Sequence, residues 1–375
     1  MSEATRVGPV LPHERIQLLD VLRGFALFGI LQTNFSDWDG ALTYIIEFFI
    51  DGSFYTTFSF LFGLGFAIQL IRAEDRKAPF AARYLWRSVL LLLIGVVHAV
   101  FIWQGDILRD YGLVAILLLV VHRARNKVLL ALAAALLLFT VVPFYAPAGA
   151  LLSRPPVEAA ARGRVSLLTE QMHRQSVGAM SSQGRVDGEY LNLVRGRAQF
   201  TWSTISTFGP WLGGWRVSIF CMFIFGLVFG RKRILHEPAK HRTLLLGIMV
   251  VGLLVGVMGN AFDTFPEFLS GHGIHLPAAL ASWEVNYYLG NIGLAFFYVT
   301  SLTLLFTYRE GVRRFLAPLA LVGRMGLTNY LMQSLVMVLL LNRPGFNLED
   351  TLVGWNQQLV LVAFWHLQGC FGQRT

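Results

Sequence analysis

The sequence predicts an all-α protein, a polytopic transmembrane helix bundle of about ten spanning helices with one long outer loop. The composition is the first reason, since 55% of the 375 residues are hydrophobic and only 14% are charged, whereas a soluble domain carries about 25% charged residues. The second reason is that apolar residues gather in runs long enough to cross a bilayer. The third is that basic residues concentrate in every other connection between these runs, as in membrane proteins.

A spanning helix needs about 20 mostly apolar residues. The two weakest candidates are the fourth run, which is short, and the last run, which ends in a polar and glycine-bearing tail. In chain order, the runs that we assign as spans are 16–38, 48–71, 87–104, 107–122, 128–146, 205–230, 243–262, 281–307, 318–341 and 352–369.

The connections between these spans predict that both termini are cytoplasmic. The inner connections would be 72–86, 123–127, 231–242 and 308–317, and each carries several Arg or Lys residues. The short outer connections are neutral or acidic apart from Arg343. Cytoplasmic loops collect basic residues, so much of the net charge of +9 reports orientation, and the Arg-rich outer stretch 147–199 is the part that topology does not explain. We find no nucleic-acid-binding module beside it.

Three parts of the chain follow from this topology. Residues 1–146 form an N-terminal membrane bundle of five helices, 147–204 form an outer segment, and 205–375 form a C-terminal membrane bundle of about five helices. Within the Arg-rich outer segment, VEAAARGRVSLLTEQMHRQ has an amphipathic pattern. Two interpretations stay open: a helix lying on the outer leaflet, or a lid over an outward-facing site.

Cysteine and loop histidine residues give no sign of a metal centre or disulfide framework. Cys221 lies in an apolar run and Cys370 lies near the end of the chain, which is not a disulfide or metal spacing. His272 and His275 share a loop but have no supporting acid. We therefore predict no metal site.

Ionisable residues at membrane depth are the candidates for function, because a charge there costs about 2.5–3.5 kcal/mol on insertion scales. The first group lies in RIQLLDVLRGFALFGILQTN. Asp20 and Arg23 are three residues apart and share a helix face, and Asn34 returns to that face near the outer end. An ion pair that only locks this helix into the bundle explains the two charges equally well.

The second group lies in HAVFIWQGDILRDYGL. His98 comes late in its span, Trp103 lies at the predicted outer interface, and Asp106 opens the next span together with Arg109 and Asp110. A tight turn would let His98 and Asp106 meet, so that the carboxylate orients the imidazole. Two interpretations of His98 remain: it acts in catalysis or ligand binding, or it has the structural role that is usual for a histidine at the membrane interface.

The third group, in GRMGLTNYLMQS, places polar side chains on one apolar helix. Polar side chains often join helices in membranes, and that interpretation is strong for most of this group. The pair Arg324 and Thr328 would share a face at i, i+4. Arg324 needs an acid from another helix, and Asp20 and Asp106 are the candidates. The remaining polar residues of this helix are Asn329, Tyr330, Gln333 and Ser334.

Glycines within the apolar runs predict close helix packing. FLFGLGFAIQ lacks the lysine and hydroxyl residue of a phosphate-binding loop, so Gly63 and Gly65 are assigned to packing. The same holds for the glycines at GxxxG spacing, which are Gly226 with Gly230 and Gly252 with Gly256.

Taken in order, RIQLLDVLRGFALFGILQTN, SFLFGLGFAIQ, HAVFIWQGDILRDYGL and GRMGLTNYLMQS resemble the YeiB-like bacterial inner-membrane proteins, which carry the label domain of unknown function 418. The resemblance implies a multi-pass protein of the bacterial inner membrane. Members usually end in a basic, aromatic tail with a Gly-Pro-Leu-Glu stretch. This chain stops at FWHLQGCFGQRT, and the departure implies a truncated or frameshifted tail.

The R-x-x-x-L-D-x-x-R-G opening is also similar to that of membrane-embedded acyltransferases, including the lysosomal heparan acetyltransferase and bacterial enzymes that modify surface sugars. In those enzymes a membrane-buried histidine assists acyl transfer from a cytoplasmic thioester to an acceptor across the membrane. The similarity implies an acyl-CoA donor, with His98 as base and Asp106 as its orienter. It also implies Arg23 and Arg324 near the donor. The enzymes' histidine has a different position relative to the first helix.

Two functions remain in competition after these observations. The first is acyl transfer to an envelope glycan or a small-molecule acceptor. The second is transport of a small anion or metabolite. Transporters often have paired, interrupted spans in their two halves, and the sequence shows no such pair, which argues against transport. A protein whose buried charges are all structural is the third interpretation. The candidate site residues are His98 and Asp106 for catalysis, and Asp20, Arg23, Asn34, Trp103, Arg324, Asn329, Tyr330 and Gln333 for binding substrate or cofactor.

Overall fold

The computed structural model describes residues 17–35, 41–141, 189–206, 214–274, 283–341, 345–348, 351–352 and 354–372. Within these ranges the regular structure is α-helical. The helices are α1 (Gln17–Phe35), α2 (Ala41–Phe49), α3 (Ser53–Asp75), α4 (Ala81–Phe101), α5 (Leu108–Val121), α6 (Asn126–Val141), α7 (Glu189–Ser206), α8 (Gly214–Arg231), α9 (Arg242–Thr264), α10 (Pro266–Gly271), α11 (Trp283–Tyr308), α12 (Glu310–Arg324), α13 (Gly326–Leu341) and α14 (Trp355–Gly372). The amphipathic sequence predicted at 157–175 lies outside the described residues.

Several of these helices are long and apolar enough to cross a membrane. Among the described residues they are Tyr44–Asp75, Ala81–Phe101, Arg242–Phe262 and Tyr287–Tyr308, and the bent pair α12–α13 makes a fifth if it counts as one span. Others fall short. At a rise of about 1.5 Å per residue, the 14 residues of α5 reach about 21 Å, less than the hydrocarbon core of about 30 Å.

The apolar run 318–341, which the sequence predicts as one span, is divided between two helices. Met325 has φ −108° and ψ 40°, outside the helical region, and the axes of α12 and α13 are bent by 81°. The Asn329 side-chain amide donates to the carbonyl of Val322 at 2.7 Å. That bond satisfies one of the carbonyls that α12 leaves without a partner at its end.

Glycines bring the main helix pairs into backbone contact, as predicted for Gly63, Gly252 and Gly256, whereas a Cβ at Gly65 would meet only the Arg23 side chain at 3.6 Å. A Cβ at Gly63 would overlap the backbone of Phe223, so α3 and α8 touch along their axes. Gly252 and Gly256 of α9 oppose Gly293 of α11 in the same way. Small residues let helices in a membrane approach and gain van der Waals contact, and this packing builds the bundle.

Helix α3 runs through the centre of the bundle. Its hydrophobic residues cover all of its faces, as expected for a helix surrounded by other helices. Phe60 and Phe66 are fully buried. Ser59 Oγ lies 2.7 Å from the hydroxyl of Tyr111 in α5, and that hydroxyl donates to the carbonyl of Tyr55 at 2.8 Å. The hydroxyls of Ser59 and Tyr111 and the carbonyl of Tyr55 therefore satisfy one another inside the bundle.

At the end of α8, the Arg231 guanidinium closes the turn between α5 and α6. It donates to the backbone carbonyls of His122 and Ala124 and to the side chain of Asn126. Hydrogen bonds to charged groups contribute about 1.5–3 kcal/mol each. We expect Arg231→Met to lower the free energy of unfolding by about 2–4 kcal/mol, since the freed carbonyls lose their donor.

Thermal unfolding in detergent checks this expectation. Arg314→Met is the matched control, because among the described residues Arg314 bonds Glu310 one turn away and both side chains are mostly exposed, at 78% and 72%. Such pairs contribute about 0–1 kcal/mol. Equal melting temperatures for the two variants would contradict the structural role of Arg231.

Candidate functional site

His98 and Asp106 lie together where α4 turns back into α5. The Nδ1 atom of His98 is 2.7 Å from Oδ2 of Asp106. Both residues are buried, with exposed fractions of 2% and 3%. The contact that the sequence suggested is therefore present, and it is shielded from solvent.

The pair fixes which imidazole nitrogen can act as a base. A carboxylate only accepts hydrogen bonds, so Nδ1 carries the proton that is shared with Asp106. In the neutral ring the lone pair then lies on Nε2. Nε2 has no hydrogen-bond partner among the described residues. The imidazole thus has one nitrogen held by Asp106 and one buried nitrogen without a hydrogen-bond partner among the described residues.

Asp106 also starts the next helix. Its Oδ1 accepts the backbone N–H of Arg109 at 2.9 Å, which is the bond an N-terminal cap makes. Gly95, one turn before His98, lets the backbone of Arg109 approach α4 without a Cβ in the way. One carboxylate therefore holds the imidazole and anchors α5 beside it.

Tyr330 of α13 closes the site from the other half of the chain. Its hydroxyl accepts the backbone N–H of Ile107 at 3.3 Å, and its ring centroid lies 5.7 Å from that of His98. Tyr330 sits in the second turn after the break at Met325. The bend between α12 and α13 therefore positions a side chain of the C-terminal half over the His98–Asp106 pair.

A second buried charged cluster adjoins the pair. The Arg109 guanidinium donates through Nη2 to Oδ2 of Asp110 at 3.1 Å, and Arg216 of α8 donates through Nε to Oδ1 of the same carboxylate at 2.7 Å. All three side chains are at most 7% exposed. Sequence reasoning noted Arg109 and Asp110 only as the opening of a span. The sequence analysis missed Arg216. The only indication of its role in the sequence is that it is a charged residue inside the apolar run 205–230.

Trp103 and Asn34 lie at the same end of the bundle as the pair. Trp103 is buried, and its ring packs on that of Phe35 with centroids 4.8 Å apart. Asn34 precedes Phe35 in the last turn of α1 and is half-buried. These two predicted binding residues are therefore close in the fold to the turn that carries His98.

Asp20 and Arg23 belong to another part of α1. They form an ion pair of 3.0 Å, and Arg23 lies 11 residues before Asn34, about 16 Å along a helix. The sequence analysis gave such an ion pair, holding α1 in the bundle, as the alternative to a role in binding. Asp20 is thus bonded to a residue of its own helix.

The predicted partnership of Arg324 with Asp20 or Asp106 is wrong among the described residues. Arg324 is exposed at the end of α12, and no carboxylate of that part of the chain pairs with it. The break at Met325 is the reason, because it turns Arg324 outward and sets Gly323 against the Asp20 backbone. The predicted shared face of Arg324 and Thr328 fails for the same reason.

Asn329 and Gln333 act in packing. Besides holding the end of α12, Asn329 accepts a hydrogen bond through its carbonyl from the Gln368 side chain at 3.0 Å. Gln333 donates to the side-chain oxygen of Gln368 at 2.9 Å. The two residues predicted as binding groups therefore dock α14 against α13.

Helix α7 covers the end of α4 beside the site. Tyr190 donates to the carbonyl of Phe101 at 3.2 Å, and Arg197 donates to that of Ile102 at 3.3 Å. A cation is favourable at a helix C-terminus. Leu191 and Trp202 of the same helix are exposed at 69% and 71%, so α7 has one face on the bundle and one apolar face outward.

A cavity of about 520 Å³ lies at the opposite end of α4. Its walls include Glu74, Phe80, His122, Arg123 and Arg231. Two basic connections that the sequence placed on the inner side, beginning at 123 and at 231, thus meet at one opening. From Ala81 to His98 the helix rises about 26 Å, so the cavity and the His98 pair lie at opposite ends of the bundle.

Comparisons with known proteins give the family of the chain. Residues 229–373 match the family model described as "Protein of unknown function (DUF418)". The chain is 30% identical to the uncharacterized protein YxaH of Bacillus subtilis (strain 168), over 97% of this chain and 90% of that protein. It is 25% identical to the uncharacterized protein YeiB of Escherichia coli (strain K12), over 88% of this chain and 85% of that protein.

Proposed function

Because this chain belongs to the YeiB-like DUF418 family, its function has to be argued from its own residues, and we propose that it is a transmembrane acyltransferase. It would transfer an acyl group from a cytoplasmic thioester donor to an envelope or secreted acceptor. The observation that carries the proposal is the buried His98–Asp106 pair with a free Nε2. An oriented imidazole with an available nitrogen is the usual general base.

The reaction follows from that nitrogen. Nε2 of His98 takes the proton of an acceptor hydroxyl or amine as the acceptor atom attacks the thioester carbonyl carbon. The tetrahedral intermediate then collapses and the C–S bond breaks. The departing thiolate takes the proton from the imidazolium, which returns His98 to the neutral form. Asp106 stabilises the imidazolium in between.

The chain would sit in the bacterial inner membrane with both termini cytoplasmic and about ten crossings. In that orientation His98 and α7 lie toward the outer side, where an acceptor arrives. The cavity at Arg123 and Arg231 lies on the cytoplasmic side. Its basic rim suits the phosphates of an acyl-CoA donor.

Everted membrane vesicles that contain the protein test this proposal, because their cytoplasmic face is accessible. Acetyl-CoA labelled in the acetyl group is added outside, and label is counted in washed glycan and lipid fractions. We expect covalent label that is absent from vesicles lacking the protein. Vesicles with folded protein and no covalent label would contradict acyl transfer for this donor class.

One observation favours transport as a second candidate. Transporters often carry helices interrupted at membrane depth, and the 81° bend between α12 and α13 is such an interruption. The sequence did not reveal it. The described helices of the first half contain no equally bent pair. Accumulation of an unaltered labelled solute in the same vesicles would favour this function over acyl transfer.

A further inference from the structure

The cavity at the start of α4 is large enough for an organic ligand. Its volume of about 520 Å³ lies within the range of roughly 300–1,000 Å³ that small-molecule sites occupy. Four parts of the fold surround it, which are the end of α3, the start of α4, the turn after α5 and the end of α8. Donors and charges from these parts therefore face one opening.

Helix α4 begins at this cavity without a side chain that caps it. Phe80 is the N-cap residue and makes no side-chain hydrogen bond to the helix, and the first turn holds no acidic residue. The first N–H groups of a helix have no acceptor within the helix. Those of Ala81 and Ala82 belong to residues of the cavity wall and bond no acceptor among the described residues. Such a helix start carries partial positive charge and binds phosphate groups.

Two guanidinium groups add positive charge to the same cavity. Arg231 is fixed in place, because it donates to the carbonyls of His122 and Ala124. Arg123 is exposed and pairs with no carboxylate among the described residues. Glu74 is the one carboxylate among the described residues of the wall. The two arginines exceed it by one charge, and the start of α4 adds to this excess.

His122 adds a polar atom that no protein group uses. The residue forms part of the cavity wall but is only 9% exposed. Its Nδ1 donates to the carbonyl of Leu119, whereas Nε2 has no hydrogen-bond partner among the described residues. Buried polar side chains are hydrogen-bonded in the large majority of cases, so this atom indicates a ligand. Nε2 can accept the proton of a phosphate hydroxyl, or donate to a phosphate oxygen when the ring is charged.

We propose that this cavity binds the phosphate group of an organic phosphate. The N–H groups of Ala81 and Ala82, the Arg123 guanidinium and Nε2 of His122 would surround the phosphate oxygens. Where the ligand is acyl-CoA, the inference rests on the proposed function and names the residues that hold the donor's phosphates. An anionic phospholipid of the cytoplasmic leaflet carries the same phosphate chemistry and is the second source.

The two sources differ in what the rest of the ligand contacts. The adenine of CoA would lie against Phe80, an aromatic residue of the cavity wall. The acyl chains of a phospholipid would instead extend along α4. Spacings of three or four residues place Ala82, Trp86, Leu93 and Val97 on one side of that helix, and the last three are exposed at 62%, 53% and 56%.

Titration of the purified full-length protein with CoA and with pantetheine tests the soluble source, because pantetheine lacks the phosphates and the nucleotide. We expect calorimetry to show binding of CoA and none of pantetheine. Arg123→Gln should weaken CoA binding about 10-fold or more, as for a lost hydrogen bond to a charged group. Arg125→Gln is the matched control. Arg125 is an exposed arginine of the same turn, outside the cavity wall, so its loss should change the affinity by less than about twofold.

Ala82→Asp separates loss of the site from loss of the fold. A carboxylate in the first turn favours the helix, but it competes with phosphate for the same N–H groups. CoA binding should therefore weaken at least as much as for Arg123→Gln, while the melting temperature should not fall. Wild-type affinity for CoA in both variants would overturn a soluble phosphate as the ligand.

Nanodiscs test the lipid source. A phosphate held on a lipid should raise the melting temperature when phosphatidylglycerol replaces part of the phosphatidylcholine, because a ligand of the folded state stabilises it. Arg123→Gln should lose this rise and Arg125→Gln should keep it. The inference is overturned if neither CoA binding nor the phosphatidylglycerol effect depends on Arg123. Arg123-dependent CoA binding without acetyl transfer by the wild type would instead overturn the proposed function and support the phosphate site.

Discussion

Replacing His98 by asparagine is expected to lower the rate of acyl transfer by about 10³-fold, within the range of roughly 10²–10⁴ that a positioned general base contributes. The asparagine amide nitrogen occupies nearly the place of Nδ1 and can still donate to Asp106. The fold of the α4–α5 turn is therefore retained, while the atom in the place of Nε2 is lost. The measurement is the initial rate of acetyl transfer from labelled acetyl-CoA in proteoliposomes.

The matched control is His366→Asn. His366 is an exposed histidine of α14 that touches the ring of Trp365, and it bonds no residue of the proposed site. Its substitution should leave the rate within about twofold of the wild type, as expected for a surface change. If His98→Asn transfers acetyl groups as fast as His366→Asn, the general-base assignment is wrong.

The His98–Asp106 pair was accessible to sequence reasoning because it is local. Eight residues separate the two side chains, and the Gly105–Asp106 turn that reverses the chain can be recognised from composition. A histidine late in one helix and an aspartate early in the next must then come near each other. Nothing beyond the antiparallel connection of α4 and α5 is needed to predict the contact.

The Arg109–Asp110–Arg216 cluster was not accessible in the same way. Arg216 lies 106 residues from Asp110, and their contact depends on how α8 packs beside α5. Hydropathy reports that a charge inside an apolar run needs a partner. It does not report which helix supplies that partner, because that depends on how helices distant in the sequence pack together.

The break at Met325 shows a second limit of sequence patterns. GRMGL is apolar apart from its arginine, so a hydropathy window passes through it without interruption. At the break the Val322 carbonyl accepts hydrogen bonds from the Asn329 side chain and from the backbone N–H of Met325, whereas in a continuous helix it would accept the backbone N–H four residues later. Arg324 was consequently assigned to a buried face and is exposed. Tyr330 was assigned to a binding face and lies beside His98.

The contact of α12 with α1 should be the most sensitive packing point of the described fold. A Cβ at Gly323 would overlap the carbonyl oxygen of Asp20, and one at Gly24 would overlap that of Leu319. Both neighbours are helix backbone, which cannot move aside as a flexible side chain can. Overpacking usually costs about 1–3 kcal/mol. We expect Gly323→Ala to lose at least this much and Gly323→Val to prevent formation of the native bundle.

The matched control is the same substitution at Gly247 of α9, where no neighbouring atom lies within 4 Å of the added carbon. Alanine there should stabilise the protein by about 0.5–1 kcal/mol, because glycine is a poor helix residue. The two Gly→Ala changes are therefore expected to have opposite signs. Unfolding can be followed with a thiol dye at Cys221, which is buried, in a Cys370→Ser background that removes the exposed thiol.

The direction in which Gly323→Ala changes the melting temperature tests whether α12 packs tightly on α1. If the added methyl lowers the melting temperature, the close approach of α12 to α1 is tight, and this approach fixes where α13 begins after the bend. Tyr330 follows five residues after Met325, so a displaced α12 should also lower acyl transfer in any Gly323→Ala protein that still folds. A melting temperature that rises as it does for Gly247→Ala would show that α12 does not pack on α1 in this way.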